Sequence, residues 1–199
     1  MIHPDTRLQF IDDEIGYGLF ATRPIPRGTI TWALDAFDRV ITPDEAQRLG
    51  SVYAPILDKY SYRNRQGAYV LCWDFGRYVN HSFNSNCLST GYDFEIAVRD
   101  IEAGEELTND YGYLNLERPF KARPESSTRE YVYPDDLLHY YKEWDMLVAA
   151  SFPNLLRVEQ PLMPLIPVAL QQEIREIIDG GRPIPSILRH YCQPENVLS

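Results

Sequence analysis

Cysteine is scarce. Cys72, Cys87 and Cys192 are the only three among 199 residues, an odd number with no C-x-x-C and no histidine at metal-ligand spacing. That pattern excludes a disulfide framework and a local zinc motif, so buried free thiols are expected. Apolar runs are short as well, and none approaches the ~18 residues that cross a bilayer. The start, MIHPDTRLQF, lacks the basic-then-apolar order of a secretory leader, which sets a cytoplasmic expectation with no membrane partner. Cationic side chains are outnumbered, 19 Lys and Arg against 29 Asp and Glu, for a net charge of −10. Binding nucleic acid through its phosphates needs the opposite balance, so no nucleic-acid partner is expected. The acidity permits a Lys-rich protein partner, although solubility alone is the commoner reason for it. No internal repeat or low-complexity tract is present.

What is there suits a globular chain long enough to bury a core. Over residues 8–40 short β-rich runs alternate with turns: LQFID, the Gly16-Tyr17-Gly18 break, LFAT, a Pro-Arg-Gly turn and TITWAL. Three strands are predicted. Thr42-Pro43-Asp44-Glu45 supplies a cap, a first-turn proline and a glutamate three positions after the cap. A helix should run from there to Leu49 and stop at Gly50. It opens a helical insert of about residues 42–66, whose later part is tyrosine-rich and lacks clear period. Residues 68–75 (AYVLCWDF) are a continuous apolar run and read as a buried strand; 94–98 reads as another, and Ile101-Glu102-Ala103-Gly104 as the turn into Glu106-Leu107-Thr108. In the last third, Leu137, Tyr141, Trp144 and Val148 predict a helix over 135–149. Leu170, Ile174 and Ile178 line a second helix over 167–179, started at Pro167 and ended by Gly180-Gly181. The prolines at 153, 161, 164 and 167 predict an extended connector between them.

Three segments carry residues with chemistry to offer. Gly16-Tyr17-Gly18 lets the backbone take positive φ and approach a ligand without Cβ interference, although a bare G-x-G is most often a hairpin turn. The polar stretch Asn80-His81-Ser82-Phe83-Asn84-Ser85-Asn86 follows the predicted buried strand. Its side chains suit a hydrogen-bonded loop, and His81 taken alone reads as structural. Residues 101–113, IEAGEELTNDYGY, form a turn and a short strand that ends in Asp110-Tyr111.

Together and in this order the segments resemble the SET-domain methyltransferases, whose hallmarks are an early G-x-G, an N-H-S-x-x-x-N segment and G-E-E-L-x-x-D-Y near the end of the core. The resemblance covers about residues 8–116. It implies an α+β, mainly β fold of small sheets with a knot-like threaded active site, where the Asn-His and Asp-Tyr segments cross. A SET domain over 1–118 and a C-terminal helical extension over 119–199 are the expected division. The implied cofactor is S-adenosylmethionine, leaving as S-adenosylhomocysteine. Gly16, Tyr17 and Gly18 would cradle its methionine end, and Asn80 with His81 would hold its amino group and adenine. Tyr111 is implied as the catalytic residue. The implied reaction moves a methyl group to the ε-amine of a lysine in a protein or peptide substrate. A SET-like module that binds protein without catalysis is the alternative, and the retained Asn80, His81 and Tyr111 speak against it.

That chemistry dictates what the site must do. A lysine ammonium has no lone pair, and with a reference pKa near ~10.4 roughly one in two thousand is neutral at pH 7. Entry into a narrow aromatic channel beside a sulfonium disfavours its charge. In-line attack is then largely positioning, to which the Tyr111 hydroxyl would contribute by orienting the amine. Tyr113 and Asn109 are candidate channel walls, joined by some of Tyr62, Tyr69 and Tyr78. Asn109 stands where the family often places Phe or Tyr to limit the number of methyl groups, and Ser85 replaces a frequent proline. Phe83 stands where many histone-modifying relatives carry a cysteine that joins a downstream C-x-C around zinc; that C-x-C is missing too, and no metal is expected. Something else must then cover the channel. The helices at 135–149 and 167–179 are candidates, and packing on the back of the core is their other reading. A peptide would bind as an added strand.

Overall fold

The alternation near the start becomes an antiparallel hairpin, β1 (Thr6–Asp12) with β2 (Gly16–Ala21), in which Gly16 at φ +85° takes the left-handed position of the turn. The computed structural model describes residues 1–193. After β3 (Ile30–Ala33) and β4 (Arg39–Ile41) comes α1 (Pro43–Leu49), and its cap is the expected one: Thr42 Oγ1 accepts from the Glu45 N–H at 3.2 Å, and Gly50 closes the helix at φ +78°. A second short helix, α2 (Ala54–Tyr60), leads into β5 (Ser61–Arg63), which pairs with β6 (Tyr69–Leu71); β6 also pairs with β4. The end of the insert is therefore strand and turn.

The apolar run 68–75 yields only the three residues of β6. Asp74 ends it by accepting the Gly76 N–H at 2.9 Å and capping a 3-10 turn at Phe75–Tyr78, which leaves Trp73 46% and Phe75 50% exposed. An apolar run can thus leave the sheet when a capping carboxylate offers the backbone another partner.

Four further strands, β7 (Asn80–His81), β8 (Cys87–Ser89), β9 (Phe94–Ala97) and β10 (Glu106–Asn109), complete the main sheet. Its order is β1-β2-β10-β8-β9-β3, with β7 also on β10. β10 runs antiparallel to β2 but parallel to β7 and β8. Parallel pairing needs a crossover, so segments distant in the chain meet there. β11 (Phe120–Lys121) and β12 (Tyr131–Val132) form a small hairpin before α3 (Asp136–Ser151) and α4 (Val168–Ile178).

β9 is buried along its whole length. Phe94 and Ile96 enter one apolar cluster with Leu137, Trp144 and Val148 of α3 and Ile174 and Ile177 of α4; Ala97 enters a second with Trp32, Cys87 and Leu107. α3 and α4 thus pack on the core. The buried face of α4 is centred on Ile174 and Ile177, with Leu170 and Ile178 only flanking it. The connector between the helices is not extended: 3-10 turns at Phe152–Leu156 and Met163–Leu165 start on Pro153 and Pro164, whose fixed φ favours a first helical turn. All three thiols are buried and unpaired. Among the described residues no helix is long and apolar enough to cross a membrane.

Candidate active site

β10 brings the distant segments together. Its parallel register sets Thr108 opposite Asn80 and Asn109 opposite His81, then delivers Asp110 into a 3-10 turn at Tyr111–Tyr113. Asp110 Oδ1 caps that turn by accepting the Gly112 N–H at 3.0 Å. The Tyr111 N–H donates to His81 Nδ1 at 3.2 Å, and the Tyr111 hydroxyl donates to the Val79 carbonyl at 2.6 Å. From the other side, Asn80 Nδ2 donates to the Tyr17 carbonyl at 3.1 Å and to Glu106 Oε1 at 2.7 Å. A Cβ on Gly18 would stand 2.4 Å from Glu106 Oε1 and 2.9 Å from Asn80 Nδ2, so a side chain there would push both of these side-chain ends aside. Gly18, Asn80, His81 and Tyr111 share one locality.

Tyr111 also lines a cavity of about 140 Å³, walled by the rings of Trp32, Tyr60, Tyr62, Tyr92 and Tyr113, with Glu95 and Asn109 among its polar groups. Tyr69 does not line it. That ring lies beneath the Arg63 guanidinium, 4.1 Å from its centroid, and its hydroxyl donates to Glu117 Oε1 at 3.1 Å. Tyr78 is also outside, edge-on to Tyr17 and Tyr60. Much of the rest of the wall comes from residues 58–64, from the stretch 72–79 and from His190, and none of it from α3 or α4. The insert and the last described turn therefore cover the cavity, while α3 sets Trp144 edge-on against the buried Tyr113 at 5.5 Å and supports it from behind.

The SET domain profile matches residues 16–112, the stretch from the β2 glycines to the turn at Tyr111. That stretch, just under half of the chain, is a SET domain. It is 30% identical over 121 residues to N-lysine methyltransferase KMT5A-A of Danio rerio, covering 53% of this chain and 34% of that protein. It is 31% identical over 127 residues to the histone-lysine N-methyltransferase ash1 of Drosophila melanogaster (58% of this chain, 6% of that one). It is likewise 31% identical over 134 residues to the histone-lysine N-methyltransferase EZH2 of Chaetomium thermophilum (58% and 9%). The match spans about a third of the first relative's length and under a tenth of the others'.

Within this SET domain, burial sets the electrostatics. It lowers the His81 imidazole to about 4, so the ring is neutral near pH 7. Because Nδ1 accepts from Tyr111, the proton sits on Nε2, which is buried and has no acceptor among the described residues. Phe83, Tyr111 and Phe120 surround the ring at 4.5, 5.4 and 5.5 Å. Burial, aided by the charges of Glu106 and Glu95, raises the Tyr111 phenol well above its ordinary value and keeps it protonated. Burial raises Asp110 as well, against the pull of Arg129.

Two features of this site escape the sequence. Arg129 bridges Asp110 and Asp136, the latter at 2.6 Å, and its guanidinium lies 4.2 Å over Phe83 and 4.1 Å over Tyr140. It ties the start of α3 to the Asp110-Tyr111 corner, yet it sits in a polar segment without any local signal. Glu95 is the other. Phe94-Glu95-Ile96 alternates like a strand with one wet face, but both faces are covered and Glu95 is only 6% exposed.

Proposed function

We propose that this SET domain transfers a methyl group from S-adenosylmethionine to the ε-amine of a lysine in a protein substrate. One observation carries the proposal: a single phenol, Tyr111, is hydrogen-bonded into the Val79-Asn80-His81 segment and also forms part of an aromatic cavity. Its hydroxyl hydrogen is committed to the Val79 carbonyl, which leaves the oxygen lone pairs free to accept from an amine N–H and to set partial negative charge beside the transferring carbon. Tyr111 orients and polarises; as a protonated phenol it is no base.

When bound, the cofactor supplies a methyl group activated by its sulfonium. The residues beside Tyr111 fit such a group. Asn80 commits its amide hydrogens to Tyr17 and Glu106, and its Oδ1 remains to accept from an ammonium. His81 Nε2–H is a buried donor without a partner among the described residues. Gly16, at φ +85°, has open space where a side chain would stand. On the cavity side, tyrosine and tryptophan rings strip water from the incoming lysine and disfavour its charge.

The relatives' names make core histones the first substrates to try, and the net charge of −10 favours a basic partner. The test is calorimetric titration with S-adenosylmethionine, then incubation with labelled cofactor, core histones and a proteome extract, with modified residues identified by mass spectrometry. Saturable binding and label on lysine are expected. No binding at millimolar cofactor would leave only a protein-binding module.

A further inference from the structure

Deep in the cavity is a carboxylate that the chemistry above does not use. Glu95 Oε1 accepts from Asn109 Nδ2 at 2.9 Å, from Ser89 Oγ at 3.2 Å and from the Tyr113 hydroxyl at 3.4 Å, whereas among the described residues Oε2 accepts only from Asn109, at 3.0 Å. Among the described residues no cation pairs with it. The other end of the Asn109 amide, Oδ1, is buried and receives no hydrogen bond among the described residues. Asn109 is only 7% exposed and lines the same cavity. A buried anion and a buried unsatisfied acceptor, side by side in an aromatic cavity, are complementary to one kind of ligand: a cation that donates N–H.

We propose that Glu95 and Asn109 receive the ammonium of the substrate side chain, and that Glu95 takes its proton before methyl transfer. The proposal rests on the methyltransferase reading and adds a catalytic residue to it. One ammonium N–H bond breaks, its electron pair stays on nitrogen as the attacking lone pair, and the proton moves to Glu95 Oε2, which becomes a carboxylic acid. After transfer the product nitrogen is again cationic, and the Glu95 proton leaves to water as the product withdraws. Asn109 is a positioning residue: its amide hydrogens hold Glu95 while its Oδ1 accepts a second substrate N–H.

Burial pushes the Glu95 carboxyl up to about 7, where a proton acceptor for work near neutral pH is most effective. Tyr62, Tyr111, Tyr113, Cys72 and Cys87 feel its charge, and burial holds all five protonated. The N-terminal ammonium favours the carboxylate. The remaining charged lining comprises Arg63, paired with Glu117, and Asp58, Lys59, Arg77 and Asp93. His190 also lines the cavity, and its Nε2 is held by the carbonyls of Thr90 and Tyr92 at 2.8 and 3.1 Å.

The experiment has two arms on the full chain. The first is a carbon NMR titration of glutamate carboxyls with and without n-butylammonium as the probe. The Glu95 signal, assigned by its loss in Glu95→Gln or by through-bond correlation if that variant does not fold, should titrate near neutrality and move on adding probe above that point. A Glu95 signal that ignores the probe overturns the proposal. The second arm is the pH profile of kcat/KM for histone methylation. Glu95→Gln should lower it about a hundredfold above neutrality and remove the limb near pH 7, Glu95→Asp should restore the limb, and His190→Asn should keep it. Activity and limb intact in Glu95→Gln would refute the proton transfer while leaving the methyltransferase reading standing; a wild-type chain that methylates nothing would sink that reading instead, with the probe titration still deciding the acceptor pair.

Discussion

At the scale of single residues, Glu95 and His81 are both shifted by burial, in opposite directions, and stability should record both. Glu95 rises to about 7, so the unfolded chain ionises first, near ~4.3. Stability is therefore lost as pH climbs from there through 7. His81 falls to about 4, and the unfolded imidazole takes its proton first, near ~6.5. Its contribution is whole above that pH and is lost as pH falls toward 4. The two slopes oppose each other across the acid range and flatten the wild-type profile. Glu95→Gln removes only the first, so urea denaturation should show the variant gaining roughly 3 kcal/mol on wild type between pH 4 and pH 8. A constant difference across that range would mean that Glu95 is not buried as a carboxylate. None of this was legible beforehand, because Phe94-Glu95-Ile96 carries the alternation of a half-exposed strand and only the packing of α3 behind it and the insert before it closes both faces.

Elements were read best where a local device ends them. The Thr42 cap and Gly50 stop of α1 were visible as residue types because each acts within one turn. So was the G-x-G hairpin. The strand expected over 68–75 failed for the same reason in reverse, since Asp74 diverts the backbone locally while the apolar pattern continues. Long-range ties left no trace, and the Arg129 bridge is the clearest case. Arg129→Met would leave Asp110 and Asp136 buried without their cation, which should cost about 3 to 5 kcal/mol and loosen the Asp110-Tyr111 corner. A melt together with cofactor calorimetry would record both; an unchanged melting temperature would contradict the bridge. Gly18→Ala acts on the opposite side. Its Cβ would meet Glu106 Oε1 at 2.4 Å and Asn80 Nδ2 at 2.9 Å, so Asn80 should be displaced and cofactor affinity should fall about tenfold or more, a loss of ~1.4 kcal/mol. Cofactor affinity equal to wild type would remove Asn80 from the binding site.

Across the whole molecule, the helical third and the sheet share an apolar cluster: Trp144, Val148, Ile174 and Ile177 contact the same core as Phe94, Ile96 and Tyr113. A chain ending at residue 118 would expose that face and should lose cooperative unfolding by circular dichroism; a sharp melt would show that residues 1–118 fold alone. The order of the three family segments was legible because motifs survive as residue types. Their convergence was not, since it depends on β10 running parallel to β7 and antiparallel to β2. That convergence puts one phenol between the Asn80-His81 strand and the aromatic cavity, and the proposed methyl transfer depends on it. The most direct measurement is single-turnover methylation of core histones, followed by mass spectrometry, for wild type and Tyr111→Phe with cofactor binding checked in both. Transfer to lysine by wild type, with unchanged cofactor affinity and a rate at least about a hundredfold lower in the variant, is the predicted result; equal rates would contradict the account at its centre.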